Sequence, residues 1–257
     1  MERLAETRIA MWEGGSLWLV DARPFDGETP RSTDFHAHHA IQVVLDLGGT
    51  FRIIAEDGAS STRMTVVAAD ASHRFEAEGR LALLFIEPES RLGRAVSARY
   101  CGNGASLADL RPDVELSAEA QRLRGRWSEP DAALAAAGQR LIALMALGAH
   151  AGIPDYRIRR VIAWAVENLD QPISLKAAVP VAGLSSGRLR HLFVEQTGLP
   201  FKTYLLWLRL SRAVGVAAAG GSLTAAAHEA GFSDSPHFSR TFRRMFGVAP
   251  ASLGIVA

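Results

Sequence analysis

Between Ser16 and about Glu89 the apolar residues fall into short runs. SLWLVDARP, AIQVVLDLGG, TFRIIAEDG, MTVVAADASHRFEAEG and LALLFIEPES are rich in Val, Ile, Leu and Phe and are separated by Gly, Asp, Pro or Ser. That pattern predicts short antiparallel strands in a small barrel or sandwich. From about Ala105 the character changes. LSAEAQRLRGRW and DAALAAAGQRLIALMALG have helical composition, with Asp131 after Pro130 placed to start the second helix. GAHAGIP, at 148–154, reads as a linker, and helices are expected from there to the end. The fold class expected is therefore α+β multidomain: a β-barrel over 1–104, a helical extension over 105–150 and an all-α domain over 155–257.

Within the helical part the chain repeats itself. SLKAAVPVAGLS (174–185) and SLTAAAHEAGFS (222–233) agree at 7 of 12 positions. Each copy reads as a Ser cap, a short helix, a Gly turn and a second Ser capping the next helix, which together make a helix-turn-helix. With a 100° step per residue, Phe238, Phe242, Met245 and Phe246 cluster on one side of the helix after the second turn. Arg240 lies nearly opposite, flanked by His237, Arg243 and Arg244. In the first copy Leu189, Leu192 and Phe193 form the buried side. His191 takes the place of Arg240, with Gly187, Arg188 and Glu195 around it. The helix between the copies, around Tyr204–Leu210, leaves almost no polar face and is expected to be buried on several sides.

Charge sharpens this reading. The chain as a whole carries only +1, but from Arg157 onward 12 Lys and Arg face 5 Asp and Glu, a net of +7, which leaves −6 for the remainder. A basic module that meets a polyanion is thus joined to an acidic module with another task. The single Cys101 excludes an intramolecular disulfide and any multi-cysteine zinc site, and reads as a small packed residue. The start, MERLAETRIAMW, does not read as a signal peptide. No stretch approaches the roughly 18 apolar residues of a membrane span, so a cytoplasmic protein without membrane contact is expected.

AGLSSGRLRHLF, TGLPFKTYLLWLRL and EAGFSDSPHFSRTFRRMFGVAP, closing on Pro250, give residues 157 to 253 a specific resemblance to the AraC/XylS family of bacterial transcription factors. The resemblance implies a seven-helix domain with two recognition helices in adjacent major grooves, about 34 Å apart. By position it implies base-facing roles for Gly187, Arg190 and His191 and for Ser235, Ser239 and Arg240. With Arg188, His237, Arg243 and Arg244 these complete the expected DNA contacts. Three residues depart from the pattern. Pro180 falls inside a short helix, Gly187 replaces a large contacting residue, and Glu195 faces the side where the second copy has Arg244. Weaker binding by the first unit is expected.

The acidic half resembles the cupin-like sensor domain that often accompanies this module. DFHAHHAIQ supplies His36, His38 and Gln42 on alternate positions, and His73 follows later. These four are expected as polar groups in an apolar ligand pocket. No metal or other cofactor is expected, because the neutral amide of Gln42 stands where metal-binding cupins usually have Glu. The opposite face, His39, Ile41, Val43 and Leu45, is equally apolar, and periodicity does not decide which one points inward. The resemblance also implies dimerisation through the helices from about Ser117 to Leu147, with packing against the barrel as the alternative.

The function expected is a non-catalytic, sequence-specific regulator controlled by a small-molecule effector. Its partners are double-stranded DNA, the effector, a second copy of the chain and, for an activator, RNA polymerase. The alternatives are a metal-dependent cupin enzyme with a passenger helical half, and a regulator that responds to no effector.

Overall fold

The computed structural model describes residues 4–22, 32–102, 104–149 and 151–256. The strands before the first helix are β1 (Ala5–Trp12), β2 (Gly15–Ala22), β3 (Ile41–Asp46), β4 (Thr50–Ala55), β5 (Gly58–Ser60), β6 (Met64–Val67) and β7 (His73–Ile86). Helix α1 (Arg91–Tyr100), strand β8 (Leu107–Asp109) and helices α2 (Val114–Arg122) and α3 (Asp131–Ala146) follow. The remaining helices are α4 (Tyr156–Glu167), α5 (Leu175–Ala182), α6 (Ser186–Thr197), α7 (Phe201–Ala218), α8 (Leu223–Glu229) and α9 (Ser235–Phe246). A two-residue strand, β9 (Ile255–Val256), comes last.

The chain divides into two units, Met1–Ala151 with Ser239–Ala257, and Gly152–Phe238. The division differs from a boundary at 155, because the last residues join the sheet. Strand β9 lies parallel on β1, and the N–H groups of Leu4 and Thr7 donate to the carbonyls of Ser252 and Gly254.

In the first unit the strands run in the order β8-β6-β3-β7-β2-β1-β9, with β4 on β7 and β5 on β4. All the pairs within β1–β8 are antiparallel. Strand β7 reaches three partners because it is 14 residues long: its first half pairs with β4 and its second half with β2 and β3. Gly79 stands at the changeover with φ +75°, where a side chain would be strained.

The two faces of the sheet have different work, and residue parity assigns it. Leu17, Leu19, Ile41, Val43, Leu45, Leu84 and Ile86 pack with Leu134, Leu141, Ile142 and Met145 of α3 in one apolar core. Gly138 permits this approach, since a Cβ there would lie 2.5 Å from the Trp12 ring. Trp18, Val20, Gln42, Leu83 and Phe85 alternate with them and line a cavity instead. Helix α3 spends its apolar face on the sheet, so the packing alternative describes that face. Four elements escape the expected layout: β1, with its own alternating burial, helix α1 inside the stretch read as barrel, β8 where helices were expected to begin, and β9 where helices were expected to run to the end. Ser90 marks α1, its hydroxyl accepting from the N–H of Gly93 at 2.9 Å.

The second unit is helical around Ile158, Val161, Leu189, Phe193, Tyr204 and Leu208. As expected, α7 is buried on several sides, through Tyr204, Leu205, Trp207, Leu208 and Leu210. Both turn glycines adopt left-handed backbone, Gly183 at φ +63° and Gly231 at φ +75°. Pro180 lies in the last turn of α5, two residues before its end, so little helix remains for it to break.

Candidate nucleic-acid interface and ligand pocket

Helix α6 is held by Leu189, Leu192 and Phe193, all buried, and presents Gly187, Arg188, Arg190 and His191 as exposed residues. Its start is fixed by Ser185, whose hydroxyl accepts from the N–H of Arg188 at 3.3 Å. Helix α9 follows the same plan with a stronger seam. Phe238, Phe242, Met245 and Phe246 are buried, Arg240, Arg243 and Arg244 are exposed, and Ser235, His237 and Ser239 are half-buried. The cap differs from the expected one. Asp234, not Ser233, accepts from the N–H of His237, at 2.6 Å, and Ser233 bonds to the Asp234 and His237 side chains. A carboxylate suits a helix start better than a hydroxyl because it also meets the positive end of the helix dipole.

Arg243 has a partner within the first unit. Its guanidinium contacts Asp34 at 2.8 Å, and Asp34 donates its N–H to the carbonyl of Gly247 at 2.9 Å.

Residues 246–253 also close the pocket. A cavity of about 100 Å³ is bounded by Trp18, Leu83 and Phe85 on the sheet and by Phe246, Val248 and Leu253 from the C-terminal segment. Phe246 lies 5.2 Å from the Trp18 ring and 5.5 Å from the Phe85 ring. His36 and Gln42 supply polar atoms at its wall. None of these apolar residues was among the expected pocket residues. The alternation of Leu83 and Phe85 was a signal for two of them, whereas Phe246 is more than 150 positions away and gave none.

The four expected pocket residues converge, although His36 and His38 precede β3 instead of lying on it. His36 and His73 face each other as an isolated bridge, each N–H donating to the other's carbonyl at 2.9 Å. His38 Nε2 and His73 Nε2 lie 2.9 Å and 3.2 Å from the Gln42 amide. Burial, reinforced by the charge on His38, holds the His36 pKa down to about 4. Burial followed by the charges on His38 and His36 takes His73 down to about 2, and burial also lowers His38. His39 points the other way, to Glu89 at 2.9 Å. Burial opposes its charge, but bonds to Asp70 and Glu89 prevail and raise it to about 9. Cys101 packs against the apolar core, and burial pushes its thiol up to about 11.

Residues 180–253 match a family model described as a helix-turn-helix domain. The transcriptional activator RhaS of Escherichia fergusonii is 35% identical over 100 residues, which are 38% of this chain and 36% of RhaS. The chain thus spans little more than a third of the length of that relative. The uncharacterized regulator YpdC of Escherichia coli is 28% identical over 97 residues, 37% of this chain and 34% of YpdC. Over nearly the whole chain the fold is similar to that of ToxT from Vibrio cholerae, with a TM-score of 0.59 at 11% identity, covering 95% of this chain and 100% of ToxT. A ToxT structure with an unsaturated fatty acid bound is similar at a TM-score of 0.57 and 13% identity, covering 96% and 98%. No helix among the described residues is long and apolar enough to cross a membrane. Residues 180–253 thus carry a helix-turn-helix domain similar to those of the transcriptional regulators RhaS and YpdC.

Proposed function

We propose that the chain is a cytoplasmic, non-catalytic regulator that binds specific duplex DNA through α6 and α9 and takes a small, largely apolar effector in the cavity of its β unit. The observation that carries the DNA reading is the double occurrence of one design: a capped helix after a glycine turn, buried on its apolar side and cationic on its exposed side. Such helices suit the major groove, where Arg reads guanine and phosphates fix the register. Arg188, Arg190, His191, Arg240 and Arg244 are the contacts assigned, with Gly187, Ser235, His237 and Ser239 close to the duplex.

The effector reading rests on the lining of the cavity and is supported by ToxT, which binds an unsaturated fatty acid on this fold. A cavity of about 100 Å³ is smaller than the roughly 150 Å³ that holds benzene in an apolar core. A larger guest has to displace Phe246, Val248 or Leu253, and those residues follow directly on the DNA-facing part of α9. Effector and DNA are then linked through one segment, as a differential affinity for its two positions requires. For an activator the remaining partner is RNA polymerase, and a second copy of the chain is the expected partner on DNA.

Selection of bound fragments from random duplexes tests the first claim. A defined motif with two half-sites in successive grooves is the expected result, and enrichment of no sequence refutes it. Affinity for that motif should fall steeply with salt, since Lys and Arg release counterions from phosphates.

A further inference from the structure

We propose that the cavity of the β unit selects an uncharged aromatic guest that donates a hydrogen bond, a molecule of the phenol kind, and rejects carboxylates. This names the class of effector and rests on the effector reading above.

The polar end of the cavity is made of acceptors. Nδ1 of His36, His38 and His73 each stands 2.9 Å from a backbone carbonyl, of Asp34, Ala40 and Ala71 respectively. A carbonyl only accepts, so each Nδ1 carries a proton and donates it. Burial disfavours a second proton on each ring. Every Nε2 is left with a lone pair.

Gln42 is oriented by the same logic. Nε2 of His38 and Nε2 of His73 lie 2.9 Å and 3.2 Å from the Oε1 position of its amide. A half turn of the amide exchanges its oxygen and nitrogen without changing its shape, and two lone pairs select the turn that brings the NH2 group to both rings. The amide oxygen then points away from them. Neither that oxygen nor His36 Nε2 has a hydrogen-bond partner among the described residues. Both side chains line the cavity, with His36 7% and Gln42 3% exposed. Two nearly buried acceptors without a donor favour a guest that brings an O–H or N–H.

The rest of the wall sets the body and the charge of that guest. Trp18, Phe85 and Phe246 stand with ring centroids 4.9 to 5.5 Å apart, so a flat ring extends an existing aromatic cluster. Among the described residues no Lys, Arg, Asp or Glu lines the cavity. A carboxylate would give up its water for the hydroxyls of Ser32 and Thr33 alone, and turning the Gln42 NH2 towards it would strand the lone pairs of His38 and His73. The hydroxyls both give and take, so they leave the preference for a donor intact.

The test titrates the full chain by calorimetry with phenol, toluene and benzoate at neutral pH. Phenol and toluene share one ring and nearly one shape, and differ in whether a hydroxyl or a methyl group meets the acceptors. Phenol should bind at least about 10-fold more tightly than toluene, the effect of pairing a buried acceptor. Benzoate should bind at least about 100-fold more weakly than phenol. In a cavity without free acceptors toluene wins, because the hydroxyl loses its water and gains nothing. His36→Phe should narrow the ratio of phenol to toluene affinity about 5-fold, and an unchanged ratio overturns the proposal. If that variant does not fold, the order of phenol and toluene on the unaltered chain decides alone. Toluene binding as tightly as phenol, or benzoate doing so, overturns the proposal and leaves the effector reading standing. Uptake of none of the three refutes both.

Discussion

The N–H of Asp34 donates to the carbonyl of Gly247 at 2.9 Å, and this one bond ties the strand-like lead into the histidine cluster to the residue that follows α9. The contact admits only glycine. Gly247 sits at φ +70°, and a Cβ on it would lie 2.5 Å from the carbonyl oxygen of Asp34 and 2.6 Å from Nδ1 of His36.

Gly247→Ala should therefore destabilise the protein by about 1–3 kcal/mol, the cost of holding a non-glycine residue in left-handed backbone. A lowered thermal midpoint checks this. Gly58→Ala, where a Cβ meets nothing within 4 Å, is the matching control and should change little.

Arg240→Ala should cost about 1–3 kcal/mol of binding to the selected duplex. His191→Ala should cost less, because α6 has Gly187 and Glu195 where α9 has polar and basic residues. Equal losses in a titration would remove the asymmetry between the two units.

The pair between Arg243 and Asp34 is more than half exposed on both sides. Its loss in Asp34→Asn should change folding stability by less than about 1 kcal/mol. Freed from its partner, Arg243 becomes available to a phosphate, so DNA affinity should rise and its salt slope steepen by about 1. A fluorescence anisotropy series across salt concentrations measures both, and an unchanged slope would show that Arg243 does not reach the duplex.

Cys101 should react slowly with iodoacetamide at pH 8. Its thiol, raised to about 11 by burial, presents little thiolate there, and the rate should climb only as the pH nears that value or the protein unfolds. Alkylation at the speed of free cysteine would mean that Tyr100 and the neighbouring core leave the sulfur open.

Local patterns were legible in the sequence wherever the period was clean. The runs that became β2, β3, β4, β6 and β7, the repeated turn with Gly183 and Gly231, and the buried seam of Phe238, Phe242 and Phe246 all follow from spacing. Helix α1 was hidden because its apolar residues are few and Ser90 was its main mark. The cap of α9 moved from Ser233 to Asp234 because α9 begins one residue later than the repeat suggests. His36, His38, Gln42 and His73 were legible as a polar group. Their position before β3, and the closing of their pocket by Phe246 and Leu253, depend on contacts across most of the chain, which no local pattern encodes.

Strand β3 is covered on both sides, its odd positions by α3 and its even position Gln42 by the cavity. On the effector reading, ligand preference and folding are thereby written in alternate letters of one six-residue word. Substitutions at Gln42, and at Trp18 and Phe85 beside it, can retune what the pocket accepts while Ile41, Val43 and Leu45 keep the helices in place. A shift of register by a single residue would scramble both messages at once.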